Sequence, residues 1–168
     1  MSARPILPGA VLGMMGGGQL GRMFVQERAL PPEISLRVLD HERSSAAVRE
    51  AVGPDIPLMV DANMRWSVEQ AIRASRAFAE YDIYWLEEPT IPDDVDGHRR
   101  IASEGPLPIA TGENLHTIYE FQKMIAGGGV SFPEPDLSNI GGVTGWLKVA
   151  HLAEAHNLPV TTHGVQDL

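Results

Sequence analysis

Residues 56–63 read Ile-Pro-Leu-Met-Val-Asp-Ala-Asn, a short apolar run that breaks on a carboxylate, Asp61. The same figure returns downstream: Ile83 to Leu86 leads into Glu87 and Leu107 to Ala110 leads to Glu113, so the three acids stand 26 and again 26 residues apart. Short apolar runs bounded by Gly and Pro read as buried strands, and this interval is long enough for one strand, one helix and their connections. Asp136 continues the series after 23 residues and His163 after 27 more. Side chains at equivalent points of successive βα units fall on one rim of a parallel sheet, the rim where such folds build their sites. Any one of these acids could instead cap the next helix. Five in register, behind apolar residues such as Val60, Leu86 and Ala110, favour a shared site.

Working outward, Ala10 to Met15, Ser35 to Leu39, Ile56 to Val60, Ile83 to Leu86, Leu107 to Ala110 and Pro159 to Thr162 read as strands, with a weaker seventh near Asp136 to Ile140. Val68, Ala71, Ile72, Ser75, Phe78 and Ala79 recur at helical spacing behind a Ser67/Gln70 capping-box pattern. Ile118, Phe121, Met124 and Ile125 do so behind Thr117 and Glu120, with Gly127 to Gly129 as the stop. Trp146, Leu147, Ala150 and Ala153 form a third apolar stripe, ended by Asn157 and Pro159. The pattern predicts an α/β fold of parallel strands alternating with helices, about seven strands in all. His98, His116 and His151 read as exposed or helix-face residues.

Composition narrows the function. The 168 residues are 43% hydrophobic and 21% charged, which suits a single α/β domain over 1–168. With 13 basic against 22 acidic residues the net charge is -9, so neither nucleic acid nor an anionic membrane is an expected partner, and small substrates remain. Zero cysteines exclude disulfides and thiolate chemistry. No apolar run approaches a membrane span and no secretory signal stands before Pro8, which makes the cytoplasm the expected location. Three converging carboxylates need a reason not to repel. A hard divalent cation supplies it, and Mg²⁺ suits a few carboxylates plus water and substrate oxygens.

The strings Val60-Asp61-Ala62-Asn63, Trp85-Leu86-Glu87-Glu88-Pro89, Thr111-Gly112-Glu113-Asn114, Pro135-Asp136 with Ile140 to Trp146, and Thr162-His163-Gly164 together resemble the enolase superfamily, in particular its mandelate racemase subgroup, over about 46–168. The resemblance implies a partial enolase-type, TIM-type (β/α) barrel in which Asp61, Glu87 and Glu113 bind Mg²⁺, with Glu87 rather than Glu88 at the ligand position. It implies further that His163 is the general base, oriented by Asp136, and that the substrate is a small carboxylate or acid sugar whose α proton is removed. Asn63 and Asn114 are candidates to touch the substrate or to support the groups that do. Arg37 stands where the subgroup carries a basic pair on its second barrel strand.

Residues 1–45 carry another pattern. Gly16, Gly18 and Gly21 satisfy Gly-x-Gly-x-x-Gly behind an apolar run, a candidate phosphate-binding loop, and Ile6 to Met23 resembles the start of the ATP-grasp carboxyaminoimidazole ribonucleotide synthetases. A fusion follows as the expectation: a Rossmann-like strand-helix-strand segment over 1–45 joined to the third through seventh units of an enolase-type barrel over 46–168. An eight-unit barrel would need about 208 residues at ~26 per unit, so an incomplete or chimeric barrel is expected, without an eighth strand or capping domain. The expected function is Mg²⁺-dependent proton abstraction of the acid-sugar dehydratase or racemase type, impaired by truncation; the alternative is a non-catalytic chimeric or truncated domain that keeps a metal site. Open strand edges predict a homo-oligomer.

Overall fold

The computed structural model describes residues 11–15, 35–39, 48–50 and 53–164. Six strands, β1 (Val11–Met15), β2 (Ser35–Leu39), β3 (Leu58–Asp61), β4 (Ile83–Glu87), β5 (Ile109–Thr111) and β6 (Phe132–Pro133), form one sheet in the order of the sequence. Every neighbouring pair is parallel, from Val11 opposite Ser35 to Thr111 opposite Pro133. Among the described residues β1 and β6 are free edges, so the sheet is open, as a partial barrel requires. Parallel neighbours need a crossover. Four helices, α1 (Val68–Phe78), α2 (Val95–Glu104), α3 (Ile118–Ala126) and α4 (Val143–Ala155), stand in or after those connections.

Both expected capping boxes are present. Ser67 accepts from the Gln70 amide while the Gln70 side chain accepts from the Ser67 amide, and Thr117 and Glu120 do the same at the start of α3. Strand alternation then sorts the apolar residues. On one face Leu58, Val60, Ile83, Leu86 and Ile109 pack on Ala71, Ile72 and Phe78 of α1 and Ile101 of α2. The opposite face carries Met59, Trp85 and Ala110 with Phe132. A bulge sets that second face: Leu58 pairs with Ile83 but Met59 pairs with Trp85, which leaves Tyr84 as the extra residue on β4. Its ring lies 5.3 Å from both Trp85 and Phe132 and stays 46% exposed. A second core joins Phe121, Met124 and Ile125 of α3 to Val149 of α4 and to Ile140.

Four expectations need correction. The segment 136–140 turns instead of running as a strand; the short strand is Phe132–Pro133, and Asp136 instead makes one isolated parallel bridge with His163. That bridge is also all the ladder that the expected Pro159 to Thr162 strand yields. Helix α2 was not foreseen, because its buried face is Gly97, His98 and Ile101, with no apolar stripe to see. In α4 the buried residues are Val149 and Ala153, whereas Leu147 is 45% exposed, since the helix begins at Val143 and turns its stripe partly outward. His116 and His151 are exposed as expected, but His98 is fully buried. Gly16, Gly18 and Gly21 lie outside the described residues, and of Arg37 only the main chain on β2, opposite Met59, is described.

Candidate metal and proton-transfer site

The C-terminal ends of β3, β4 and β5 bring the acids to one rim. Asp61 and Glu87 are register partners on adjacent strands, and the Ala62 amide donates to the Glu87 carbonyl at 2.9 Å, carrying the ladder one step past Asp61. The Asn63 amide donates to Asp61 Oδ1 at 2.7 Å, and the chain turns through left-handed Asn63 and Met64. Asn63 itself is exposed at the mouth. Glu87 is 1% exposed, with Trp85 Nε1 donating to its Oε2 at 3.1 Å.

Glu113 follows Gly112, whose φ of +149° and close approach explain the residue type. A Cβ there would stand 2.9 Å from the main chain of Glu134 and 2.7 Å from the Phe121 ring. Only glycine lets β5 pass that close to the segment beside it. The Glu113 carboxylate then faces two ways. Oε1 accepts from Asn114 Nδ2 at 3.2 Å and Oε2 meets His163 Nε2 at 2.7 Å.

His163 holds Asp136 with its other nitrogen, Nδ1 to Oδ2 at 3.1 Å. Asp136 Oδ1 accepts the Ser138 and Asn139 amides at 2.8 and 2.9 Å, and Asn139 Nδ2 donates to the Glu113 carbonyl at 2.7 Å, tying the dyad loop to the Glu113 loop. The hydrogen bond to Glu113, against burial and with help from Asp136, pushes the His163 imidazole up to about 9. Burial alone would raise the Asp136 carboxyl, yet the hydrogen bonds from Asn139, His163 and Ser138 hold it below the ordinary carboxylate value.

One participant escaped the sequence reasoning. Glu88, next to the expected ligand, is 1% exposed and adopts a left-handed φ of 41°. Its Oε1 accepts from Asn114 Nδ2 at 2.8 Å, while its Oε2 is buried with no hydrogen-bond partner. Burial first, and then the charges of Glu113, Asp61 and Glu87, push its carboxyl up to about 7 against the Asn114 bond. The doubled acid in Glu87-Glu88 was the available signal. Asn114, expected to touch substrate or to support the groups that do, is engaged inward by Glu88 and Glu113.

Among the described residues no three His, Asp or Glu side chains stand ready-made as a cation cage. The donor set nonetheless fits a hard cation: Asp61, Glu87 and Glu113 all lie near enough for their charges to raise the Glu88 carboxyl, and each offers carboxylate oxygens. Asp61, Glu87 and Glu113 are the residues that would hold it.

A family model described as Enolase C-terminal domain-like matches residues 22–168. Over 123 residues, 73% of this chain, the sequence is 57% identical to a 3,6-anhydro-alpha-L-galactonate cycloisomerase of Streptomyces coelicolor. Over 121 residues, 72% of this chain, it is 40% identical to an L-talarate/galactarate dehydratase of Salmonella typhimurium. The chain covers 34% and 30% of these two relatives, about a third of their length. Among solved structures, a racemase from Streptomyces coelicolor A3(2) with bound magnesium aligns with a TM-score of 0.78 at 43% identity, over 94% of this chain and 48% of that one. An L-talarate dehydratase from Polaromonas sp. JS666, complexed with Mg and L-glucarate, aligns with a TM-score of 0.73 at 36% identity, over 79% of this chain and 38% of that one.

Proposed function

The chain belongs to the Enolase C-terminal domain-like family, and from that premise we propose that it removes the proton α to the carboxylate of an acid sugar, with Mg²⁺ held by Asp61, Glu87 and Glu113. The observation that carries the reading is the convergence of these acids with an Asp136–His163 pair on one sheet rim. It is supported by relatives that are cycloisomerases, dehydratases and a racemase, two of the structures holding magnesium.

When bound, the cation supplies positive charge for a substrate carboxylate and for the enediolate that proton loss creates. His163 is the base. Asp136 accepts at Nδ1, which fixes that nitrogen as the donor and leaves Nε2 to take the proton. Asn139 and Ser138 hold the Asp136 carboxylate in place for that task. In the present arrangement Nε2 rests on Glu113 Oε2 and, with the ring raised to about 9, carries a proton there, so His163 serves as base only after that proton has left. Exposed Asn63, and Arg37 on β2, are assigned to the substrate; galactarate, talarate and 3,6-anhydrogalactonate are the acid sugars to try first, by the names of the relatives.

A second reading, a domain that binds the cation without turnover, is favoured by one observation: the face of the site that carries His163 is exposed, since no residue of 159–164 is buried. Water reaching such a face weakens the charge stabilisation on which enediolate chemistry depends. Calorimetry with Mg²⁺, followed by proton-exchange measurements on acid sugars in deuterated water, separates the two. Cation binding with α-proton exchange supports the enzyme, cation binding alone supports the second reading, and no binding refutes both. The division of the chain at residue 45 remains part of the proposal, with the note that the family match begins at residue 22. No helix of the described residues is long and apolar enough to cross a membrane.

A further inference from the structure

We propose that Glu88 is a positioning residue of the cation site: clamped by Asn114, its buried carboxyl sets the distance between the Asp61–Glu87 pair and Glu113. The inference rests on the metal-site reading above. The main chain of Glu88 joins three strand ends, because the Met64 amide donates to its carbonyl at 2.8 Å and its own amide donates to the Ala110 carbonyl at 3.0 Å. The side chain reaches the loop that follows β5. Asn114 Nδ2 lies 2.8 Å from Glu88 Oε1 and 3.2 Å from Glu113 Oε1, so one amide group spans both acids.

Glu88 is as deeply buried as Glu87, at 1% exposure, but its Oε1 is taken by Asn114, so it acts through that amide. The residue type makes sense on no simpler ground. A glycine would relieve the left-handed backbone at φ 41°, and an aliphatic side chain would fill the volume without the orphaned Oε2. Neither could accept the Asn114 amide. Without that acceptor the amide is free to turn, and Glu113 loses the contact that fixes it relative to β4.

The test is Mg²⁺ calorimetry on the full chain, comparing the parent with Glu88→Gln and Glu88→Gly and with melting curves taken without Mg²⁺ as the folding check. Glutamine keeps the acceptor, so its affinity should match the parent within about threefold, whereas glycine should bind about 10–100-fold more weakly, the usual loss when a supporting partner of a ligand is removed. Equal affinity in the glycine variant and the parent would overturn the proposal. So would equal loss in both variants, which would assign the effect to charge rather than to the clamp. Should Glu88→Gly fail to melt cooperatively, Asn114→Ala decides from the partly exposed end of the same link: tenfold weaker binding supports the clamp and unchanged binding removes it. A parent that binds no Mg²⁺ refutes the metal-site reading itself, a result distinct from any of these.

Discussion

The two sides of the site are built by different means. On the acid side, Asp61 and Glu87 are fixed by the strand ladder itself, with register partners, main-chain bonds past the strand ends and a wall of buried residues behind them. On the base side, Asp136 and His163 share a single bridge, the Thr161 and His163 amides add one main-chain bond each, and side-chain bonds do the rest. Glu113 belongs to both. The difference teaches that, under the proposed function, cation binding and proton transfer would be separable, each open to disruption without the other.

The strongest way to show that separation is a crossed pair of variants. His163→Ala should lower α-proton exchange by about 10²–10⁴-fold, the usual contribution of a general base, while calorimetry still finds Mg²⁺ bound. Asp61→Asn should weaken Mg²⁺ about tenfold or more, since ligand charge sets affinity for hard cations, and exchange should fall with it. A His163→Ala variant that exchanges like the parent would place the base elsewhere.

A smaller effect tests the hinge between the sides. Gly112→Ala forces a Cβ against the Glu134 backbone at a φ of +149°, a conflict of about 1–3 kcal/mol that denaturant unfolding should register as lost stability. Next comes Asn139→Ala, which removes the bond to the Glu113 carbonyl while keeping the amide that serves Asp136. About 1 kcal/mol should be lost, with Mg²⁺ affinity falling less than the exchange rate if the residue serves the base side first.

Legibility followed the same division. The acids were readable because strand ends recur once per βα unit, and helices α1 and α3 because capping boxes and apolar stripes are local signals. Helix α2 was not, since Gly97, His98 and Ile101 make a buried face without a hydrophobic period. On the base side the contact between Asp136 and His163 was foreseen and the strands were not: a two-residue strand and one bridge leave no periodicity to detect. Glu88 escaped because adjacent carboxylates look alike in a sequence, and both prove buried; only the Asn114 bond and the left-handed backbone set Glu88 apart.

The smallest expected effect concerns His98, whose Nδ1 lies 3.0 Å from the Asp94 carbonyl while Nε2 is buried without a partner. Burial, opposed by Asp94, lowers its pKa below the ordinary histidine value. The folded state therefore holds the neutral ring, and the unfolded chain takes up the extra proton as pH falls. Its contribution to stability is complete above about pH 6.5 and is lost as pH falls toward the lowered folded pKa. Melting temperatures of the parent should drop more steeply between pH 7 and 5 than those of His98→Asn, which keeps a donor for Asp94. Parallel slopes would remove His98 from the account.

The single bridge at His163 also sets a clock. No residue of 159–164 is buried, and the segment is held to its neighbour by the Thr161 and His163 amides on the Pro133 and Pro135 carbonyls, at 3.0 and 3.3 Å. Segments with few buried contacts open at a small fraction of the free energy of global unfolding. The amides of Thr161 and His163 should therefore trade hydrogen for deuterium long before those of Leu86 or Glu88. Under the proposed function the base would then be delivered to a standing acid wall by a strap that detaches and returns many times in the life of one folded molecule.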